Sequence, residues 1–220
     1  MIKPKDCIAV ALSGGKDSII LLWALNQIKS FYPADFKIKA ITLDSCFYGH
    51  PADYSKITEF CKNLGIEHII KRYPIWKIVF EERKEKNPCS LCSRMRHGIL
   101  HKICIENNCN TIALGHNMDD AVETFFMNLF NGGKISVFSP VSYLSRQGLN
   151  MIRPLIFCKE TEIYSFLVRN NFPVCKSLCP MDKSSSRESI KILIKNLEIS
   201  YPKLREKIIH GIKTLNLNNW

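Results

Sequence analysis

The sequence lacks a hydrophobic segment long enough to cross a membrane, since no apolar run approaches the roughly 18 residues that such a span requires. Its first residues, Met-Ile-Lys-Pro-Lys, also lack the apolar stretch of a secretory signal peptide. We therefore expect a cytoplasmic protein. The chain contains ten cysteines in 220 residues, and in a cytoplasmic protein of this size free thiols or metal ligation are favoured over disulfides.

Acidic residues are scarce compared with basic ones, at 20 Asp and Glu against 31 Lys and Arg, which gives a net charge of +11 and a pI near 9.2. This excess favours a polyanionic partner, either a nucleic acid or a nucleotide. A basic balance alone is also found in enzymes that bind no nucleic acid. Part of the excess is local, because residues 183–220 contain eight Lys or Arg and three Glu.

Hydrophobic patterning predicts strands that alternate with helices, which indicates a doubly wound parallel sheet of the Rossmann-like α/β class. We expect an α/β domain over residues 1–175 and a basic helical C-terminal extension over 176–220 that packs on it. The charged run 81–86 is interpreted as a solvated helix face and 183–186 as a loop. Predicted strands are 8–12, 37–43, 66–73, 111–114 and 150–157; predicted helices are 16–30, 52–64, 92–107, 120–132, 159–170, 187–197 and 202–215.

The most informative stretch is Ser-Gly-Gly-Lys-Asp-Ser at residues 13–18, between the first predicted strand and helix. Glycines permit a tight turn, and the free N–H groups of a first helical turn bind anions. The side chains of Ser13, Lys16 and Ser18 could add contacts to a phosphate. The spacing does not fit a Walker A loop. The alternative is an ordinary strand-to-helix turn.

A second feature is the Cys89-x-x-Cys92 pair near the start of a predicted helix. Thiols at this spacing bind a metal or an iron–sulfur cluster, or act as a redox dithiol. No second pair at this spacing exists, so a four-cysteine zinc site would have to recruit Cys175 and Cys179. We favour a cluster held by three cysteines with one open position. The other six cysteines are interpreted as small buried hydrophobic residues: Cys7, Cys46, Cys61, Cys104, Cys109 and Cys158.

A third feature, Gly115-His116-x-x-Asp119-Asp120, comes where a strand ends and a helix begins. In an open sheet this end faces the same crevice as the first turn, so the two carboxylates could hold Mg²⁺ against a triphosphate. Alternatively, the two carboxylates only stabilise the start of their own helix, where the helix dipole is positive. The end of the second strand, at Leu43, lies beside the first turn, where an adenine ring usually finds backbone partners.

Taken together, these residues resemble the tRNA-thiolating branch of the PP-loop ATP pyrophosphatases, of the 2-thiocytidine synthetase (TtcA) type and its 2-thiouridine relatives. The resemblance covers most of the chain in order and rests on the following segments: Ser-Gly-Gly-Lys-Asp-Ser at 13–18, Pro-Cys-Ser-Leu-Cys-Ser-Arg-Met-Arg at 88–96, Ala-Leu-Gly-His-Asn-Met-Asp-Asp at 113–120, Asn-Gly-Gly-Lys at 131–134 and Ile-Arg-Pro-Leu at 152–155.

The resemblance implies ATP, Mg²⁺ and a [4Fe-4S] cluster. Cys89, Cys92 and a later cysteine would hold the cluster; we favour Cys179 over Cys175, because Leu-Cys-Pro with a downstream Ser-Arg resembles the family's segment. Catalytic roles would fall to Lys16, Asp17 and Cys179. The implied ATP contacts are Ala11, Leu12, Ser13, Gly14, Gly15, Lys16, Asp17, Ser18, Leu43, Gly115, His116 and Asp120.

The implied reaction starts when a nucleobase carbonyl oxygen attacks the α-phosphate of ATP and pyrophosphate leaves; sulfur on an open iron then displaces AMP. The chain lacks the N-terminal zinc-ribbon cysteines of the 2-thiouridine enzymes and is shorter than typical 2-thiocytidine enzymes. A homodimer or the basic C-terminal helices could supply further surface for tRNA. The sulfur donor is not indicated. Three alternatives stay open: a small-molecule or carrier-protein acceptor, a nucleotide-binding or cluster-sensing regulator, and a zinc-stabilised adenylating enzyme.

Overall fold

The computed structural model describes residues 1–84, 88–181 and 186–220. Residues 183–185 of the predicted loop and 85–86 of the charged run lie outside the described residues, and Ser186 already begins a helix. Glu81 and Glu82, within the charged run, are exposed in a short π-helical segment, Lys77–Glu82.

A six-stranded sheet forms the centre of the fold, in the order β3-β2-β1-β4-β6-β5. All neighbouring pairs are parallel except β5 and β6 at one edge. This confirms the predicted α/β class and adds one antiparallel edge strand. The strands are β1 Cys7–Ala11, β2 Lys37–Asp44, β3 Glu67–Arg72, β4 Thr111–Ala113, β5 Val141–Leu144 and β6 Leu149–Ile152.

Helices cover both faces of the sheet. They are α1 Lys16–Ile28, α2 Ser55–Asn63, α3 Pro88–Glu106, α4 Met118–Gly132, α5 Glu160–Arg169, α6 Ser186–Ser200 and α7 Leu204–Thr214, and a 3₁₀ turn spans Phe47–Gly49. Alternating side chains of β1 point to opposite faces, so Ile8 and Val10 pack with α1 while Ala9 packs with α3. None of the described helices combines the length and the apolar character that a membrane crossing needs.

The prediction of one strand over 150–157 was wrong in its extent. The strand ends at Ile152, and Pro154 follows in a turn, since proline cannot donate a ladder hydrogen bond. Its hairpin partner β5 was missed, because four residues that are exposed or half-buried give a weak pattern. Gly148, at a φ of 65°, closes the hairpin turn.

The two C-terminal helices pack on α4 through a separate apolar cluster. Val122 of α4, Ile194 of α6 and Ile212 of α7 are almost fully buried in it. This packing brings the first turn of α6 to the edge of the sheet at which the parallel strands end. The predicted boundary between residues 175 and 176 stays a prediction.

Candidate active site

A cavity of about 470 Å³ lies at the carboxyl ends of β1, β2 and β4. Its volume is in the range of roughly 300–1,000 Å³ that is typical of small-ligand sites. It brings together most of the residues predicted from the sequence: Ala11, Leu12, Ser13, Gly15, Asp17, Ser18, Leu43, Cys89, Cys92, Gly115, His116, Asp120 and Cys179. Three predicted residues, Gly14, Lys16 and Asp119, do not line it.

The turn between β1 and α1 forms one wall of the cavity. Gly15 is the N-cap of α1 and has no side chain to cap the helix, so the N–H groups of the first turn are available to an anion. The Ser18 hydroxyl donates to the Gly15 carbonyl at 2.9 Å and lies 3.2 Å from the Ser13 hydroxyl. The turn is therefore held in shape by its own side chains.

Two glycines allow other segments to approach this turn closely. Gly14 has a φ of +82°, and a Cβ there would lie 2.8 Å from the Cβ of Cys175. The Cys175 N–H donates to the Gly14 carbonyl at 2.9 Å. A Cβ on Gly115 would lie 3.1 Å from backbone atoms of Asp17 and Ser18. Gly14 thus serves the shape of the turn rather than the lining of the cavity.

Asp17 is fixed by two neighbours, since Asn117 Nδ2 donates to its Oδ1 at 3.0 Å and Lys16 Nζ lies 2.9 Å from its Oδ2. Lys16 also pairs with Glu160 at 2.9 Å, and Glu160 pairs with Lys191 of α6 at 2.6 Å. Burial alone would lower the pKa of Lys16, but the hydrogen bond to Glu160 and the pairing with Asp17 raise it above its ordinary value. Lys16 is therefore a fully charged ammonium group.

Lys16 faces a smaller, adjoining cavity of about 180 Å³. Asp17, Asp120 and Arg187 line both cavities, so these three charged side chains stand between them. The two cavities are therefore neighbours at the start of α1.

Asp120 caps the start of α4 and also lines both cavities, while its role in holding Mg²⁺ stays a prediction. Its Oδ2 accepts from the Asn117 N–H at 3.0 Å while its N–H donates to Asn117 Oδ1, which makes a capping box at the start of α4. Its Oδ1 accepts from Arg187 at 2.8 Å and faces the cavities. Burial raises the pKa of Asp120, although the Asn117 N–H and Arg187 oppose this shift.

The carboxylate of Asp119, by contrast, already has protein partners for both of its oxygens. It is nearly buried, and its Oδ2 accepts from the Glu160 N–H at 2.7 Å. Its Oδ1 lies 2.8 Å from Arg205 Nε of α7. These contacts join α4 to α5 and α7, which favours the structural interpretation of this carboxylate.

His116 lies on the cavity wall with Arg153 behind it. Arg153 Nε donates to His116 Nδ1 at 3.3 Å, so the neutral ring carries its proton on Nε2. Burial, together with the charges of Arg153 and Arg187, lowers the pKa of His116 to about 4. His116 is therefore a neutral donor that can hydrogen-bond a phosphate oxygen.

Three cysteines line the other side of the cavity. Cys89 and Cys92 lie on one face of the first turns of α3, and Cys179 comes from the segment before α6. Burial raises the pKa of Cys92, with Arg96 opposing the shift and Cys179 and Cys89 adding to it. All three are free thiols, as is Cys175.

Three thiolates are the donor set that suits a cluster with one open iron. Within the described residues, no three potential ligands are already close enough to form a finished metal site. The cysteines therefore fit a cluster by type and placement, and would have to turn towards each other to bind it. Cys175 does not complete a four-cysteine set, because its Sγ contacts the Asp53 carbonyl at 3.6 Å outside this cavity.

Sequence reasoning assigned no role to five polar or aromatic residues of the cavity: Phe80, Ser93, Arg96, His97 and Arg187. Ser93, Arg96 and His97 follow Cys92 on the same helix, so extending the cysteine face of α3 would have found them. Arg187 entered the sequence argument only through the Ser-Arg pair downstream of Cys179, and its place in the cavity depends on the packing of α6 on α4.

Comparison with known proteins matches residues 2–196 to the PP-loop domain family. The tRNA-cytidine(32) 2-sulfurtransferase of Hahella chejuensis is 34% identical over 218 residues, which cover 98% of this chain and 75% of that protein. The enzyme of the same name from Geotalea uraniireducens is 36% identical over 216 residues, which cover 96% of this chain and 84% of that protein.

A solved structure is also similar: the U34-tRNA thiolase NcsA from Methanococcus maripaludis with its [4Fe-4S] cluster. It superposes with a TM-score of 0.78 at 28% sequence identity, over 97% of this chain and 72% of that one. The similarity includes the fold as a whole.

Proposed function

Because this chain belongs to the PP-loop domain family, in the branch of its tRNA-sulfurtransferase relatives, we propose that it is an ATP-dependent transferase that replaces an oxygen of a tRNA cytidine by sulfur. One observation carries the proposal: the phosphate-binding turn and the cysteines Cys89, Cys92 and Cys179 line the same cavity. Activation by ATP and transfer of sulfur can therefore take place on one bound nucleobase.

The first half of the reaction uses the turn at the start of α1. Backbone N–H groups of α1, the serine hydroxyls and the Nε2–H of His116 are donors for phosphate oxygens. Asp17 and Asp120 supply carboxylate oxygens for Mg²⁺, and Lys16 neutralises developing negative charge. The carbonyl oxygen of the base then attacks the α-phosphorus, the bond to pyrophosphate breaks, and the base is left as an AMP ester.

The second half uses the cysteines. Cys89, Cys92 and Cys179 would hold a [4Fe-4S] cluster, and because they are three, one iron has no protein ligand. When bound, the cluster supplies a site that holds and activates the incoming sulfur. Sulfur adds to the activated carbon, and AMP leaves with the former carbonyl oxygen. Leu43 and Leu100 add apolar surface to the lining of the cavity.

A tRNA substrate agrees with the net charge of +11 and with the names of the relatives. We propose that the reaction takes place in the cytoplasm, where tRNA is modified. A homodimer, and a C-terminal extension that begins after residue 175, stay predictions.

The test is a thiolation assay on protein purified without oxygen. Unmodified tRNA, ATP, Mg²⁺ and sulfide should yield 2-thiocytidine, detected by mass spectrometry of the nucleosides, together with one AMP and one pyrophosphate per product. Asp17→Asn should keep iron and labile sulfide and lower turnover about 100-fold or more, as expected when a preorganised electrostatic contact is lost. Cys89→Ser should lose the cluster and thiolation but keep ATP binding.

Stoichiometric zinc without labile sulfide would contradict the cluster-dependent reaction. Thiolation of a small molecule or a carrier protein, with no product on tRNA, would contradict the substrate. ATP binding without pyrophosphate release in the presence of tRNA would indicate a regulator instead of an enzyme.

A further inference from the structure

Four aromatic side chains form a cluster in the segments that follow β2 and β3. Trp76 and Phe80 are stacked, with ring centroids 4.2 Å apart and planes inclined by 20°. The ring centroids of Tyr48 and Trp76 lie 4.6 Å apart, and Phe47 contacts Trp76 edge-on at 5.9 Å. Tyr48, Trp76 and Phe80, called the aromatic platform below, make a continuous row of rings.

The aromatic platform connects the candidate active site with the surface. Phe80, at its inner end, lines the cavity that also contains the phosphate-binding turn and the cysteines. Tyr48, at its outer end, is 56% exposed. Both segments follow the carboxyl ends of parallel strands, which is the edge of an α/β sheet at which ligands bind.

The loop that carries Tyr48 is held rigidly. The buried Asp44 carboxylate accepts from the Cys46 N–H and the Ala52 N–H, each at 3.0 Å. The Trp76 N–H donates to the Ser45 carbonyl at 3.2 Å, which ties the two segments together. The backbone segments that carry Tyr48 and Trp76 are thus held next to each other.

The backbone of the aromatic platform is also strained. Cys46 and Tyr48 have φ values of 48° and 56°, in the left-handed region that favours glycine. Phe80 lies in the π-helical segment Lys77–Glu82. Both features cost stability and are concentrated at binding sites in proteins. An apolar cluster that served only the core would require neither of them.

The charges beside the aromatic platform suit a phosphate backbone. The segment 71–84 contains five basic residues, all exposed, against two acidic residues; the basic ones are Lys71, Arg72, Lys77, Arg83 and Lys84. Aromatic rings interleaved with basic side chains are typical of surfaces that bind single-stranded nucleic acid, because bases stack on the rings while phosphates meet the charges.

We propose that the aromatic platform is a stacking site for an unpaired base that flanks the target nucleotide of the RNA substrate. The inference rests on the proposed function, since it assigns a surface to the RNA that the cavity modifies. The target base enters the cavity, where ATP also binds, and its neighbour stays at the rim against Tyr48 and Trp76. Stacking there positions the strand and holds the target base out of its own stack.

The test compares Tyr48→Ala with Tyr164→Ala, a matched control on α5, because the two tyrosines are 56% and 58% exposed. Affinity for unmodified tRNA, measured at one fixed salt concentration, should fall on the order of tenfold for Tyr48→Ala, as expected for loss of a base-stacking contact. It should be unchanged for Tyr164→Ala and restored in Tyr48→Phe. Phe80→Leu, which keeps apolar volume at the inner end, should weaken tRNA binding in the same way.

ATP affinity, measured without tRNA, should be unchanged in Tyr48→Ala, Tyr48→Phe and Tyr164→Ala, because neither tyrosine lines the cavity. If the ATP affinity of Tyr48→Ala falls together with its tRNA affinity, the rings stack on adenine and the inference is wrong. Wild-type affinity in Tyr48→Ala and Phe80→Leu would overturn the inference while the proposed function stands. Absence of tRNA binding by the wild-type protein would overturn both.

Discussion

At the scale of single residues, Cys175 and Cys179 lie only four positions apart in the sequence but in different environments in the structure. The Cys175 N–H is bonded to the Gly14 carbonyl, and its side chain packs against the outside of the phosphate-binding turn. Cys179 lies in the cavity, where its charge affects the pKa of Cys92. Spacing in the sequence could not separate them, because the difference arises from a contact with a residue more than 160 positions earlier.

The first prediction concerns this pair. Cys179→Ser should lose most of the iron and labile sulfide of anaerobically purified protein, because one of three thiolates is removed. Cys175→Ser should keep both and serves as the control, since serine adds no atom beside Gly14. Iron and sulfide analysis with a visible spectrum measures the outcome. Retained iron in Cys179→Ser together with lost iron in Cys175→Ser would reverse the ligand assignment.

At the scale of secondary-structure elements, the segment that follows β4 approaches the start of α1 closely. The close approach is at Gly115, where a Cβ would lie 3.1 Å from the backbone of Asp17 and Ser18. Because these backbone atoms belong to the turn at the start of α1, the packing of the two elements also sets the geometry of the proposed phosphate site.

Gly115→Ala should therefore force α1 and β4 apart by a few tenths of an ångström. We expect weaker ATP binding and a loss of about 1–3 kcal/mol in the free energy of unfolding, as for other overpacked sites. Gly211→Ala is the control: it lies within α7 with no atom near the added Cβ, so it should be neutral or stabilising by up to about 1 kcal/mol. Urea unfolding and ATP titration measure both effects. Wild-type ATP affinity and stability in Gly115→Ala would show that the contact at Gly115 controls neither ATP binding nor the free energy of unfolding.

The elements also show what patterning predicts well. Buried strands such as β1 could be predicted because a strand covered on both faces is a short continuous apolar run, and helices with a clear apolar stripe because their periodicity reports the face they bury. β5 could not, since an edge strand of four residues has little burial to report. Candidate ATP contacts that one turn groups together, as at residues 13–18, could be proposed from the sequence. The ion-pair partner of Lys16 could not, because Glu160 lies 144 positions away in the sequence and approaches Lys16 only in the folded chain.

At the scale of the whole molecule, the packing of α6 on α4 connects the C-terminal helices with the candidate active site. Arg187 of α6 pairs with Asp120 at the cavity and lies 3.8 Å from Glu123 of α4. Lys191 of the same helix pairs with Glu160, which holds Lys16. The position of α6 therefore affects the charges around the phosphate-binding turn, although the helix is distant from it in the sequence.

Glu123 makes the stability of the whole molecule depend on pH. Burial raises its pKa from 4.5 to about 7, and Arg187 opposes the shift only in part. Between these two values the folded protein keeps a proton that the unfolded chain has released, so stability must fall as pH rises and level off above about 7. At roughly 1.4 kcal/mol per unit, Glu123 should cost about 2 kcal/mol between pH 5.5 and 8. Glu123→Gln removes this contribution, so urea unfolding should show the stability of the wild type falling relative to the variant over that interval. A constant difference between the two proteins would mean that Arg187 keeps Glu123 charged in the folded state.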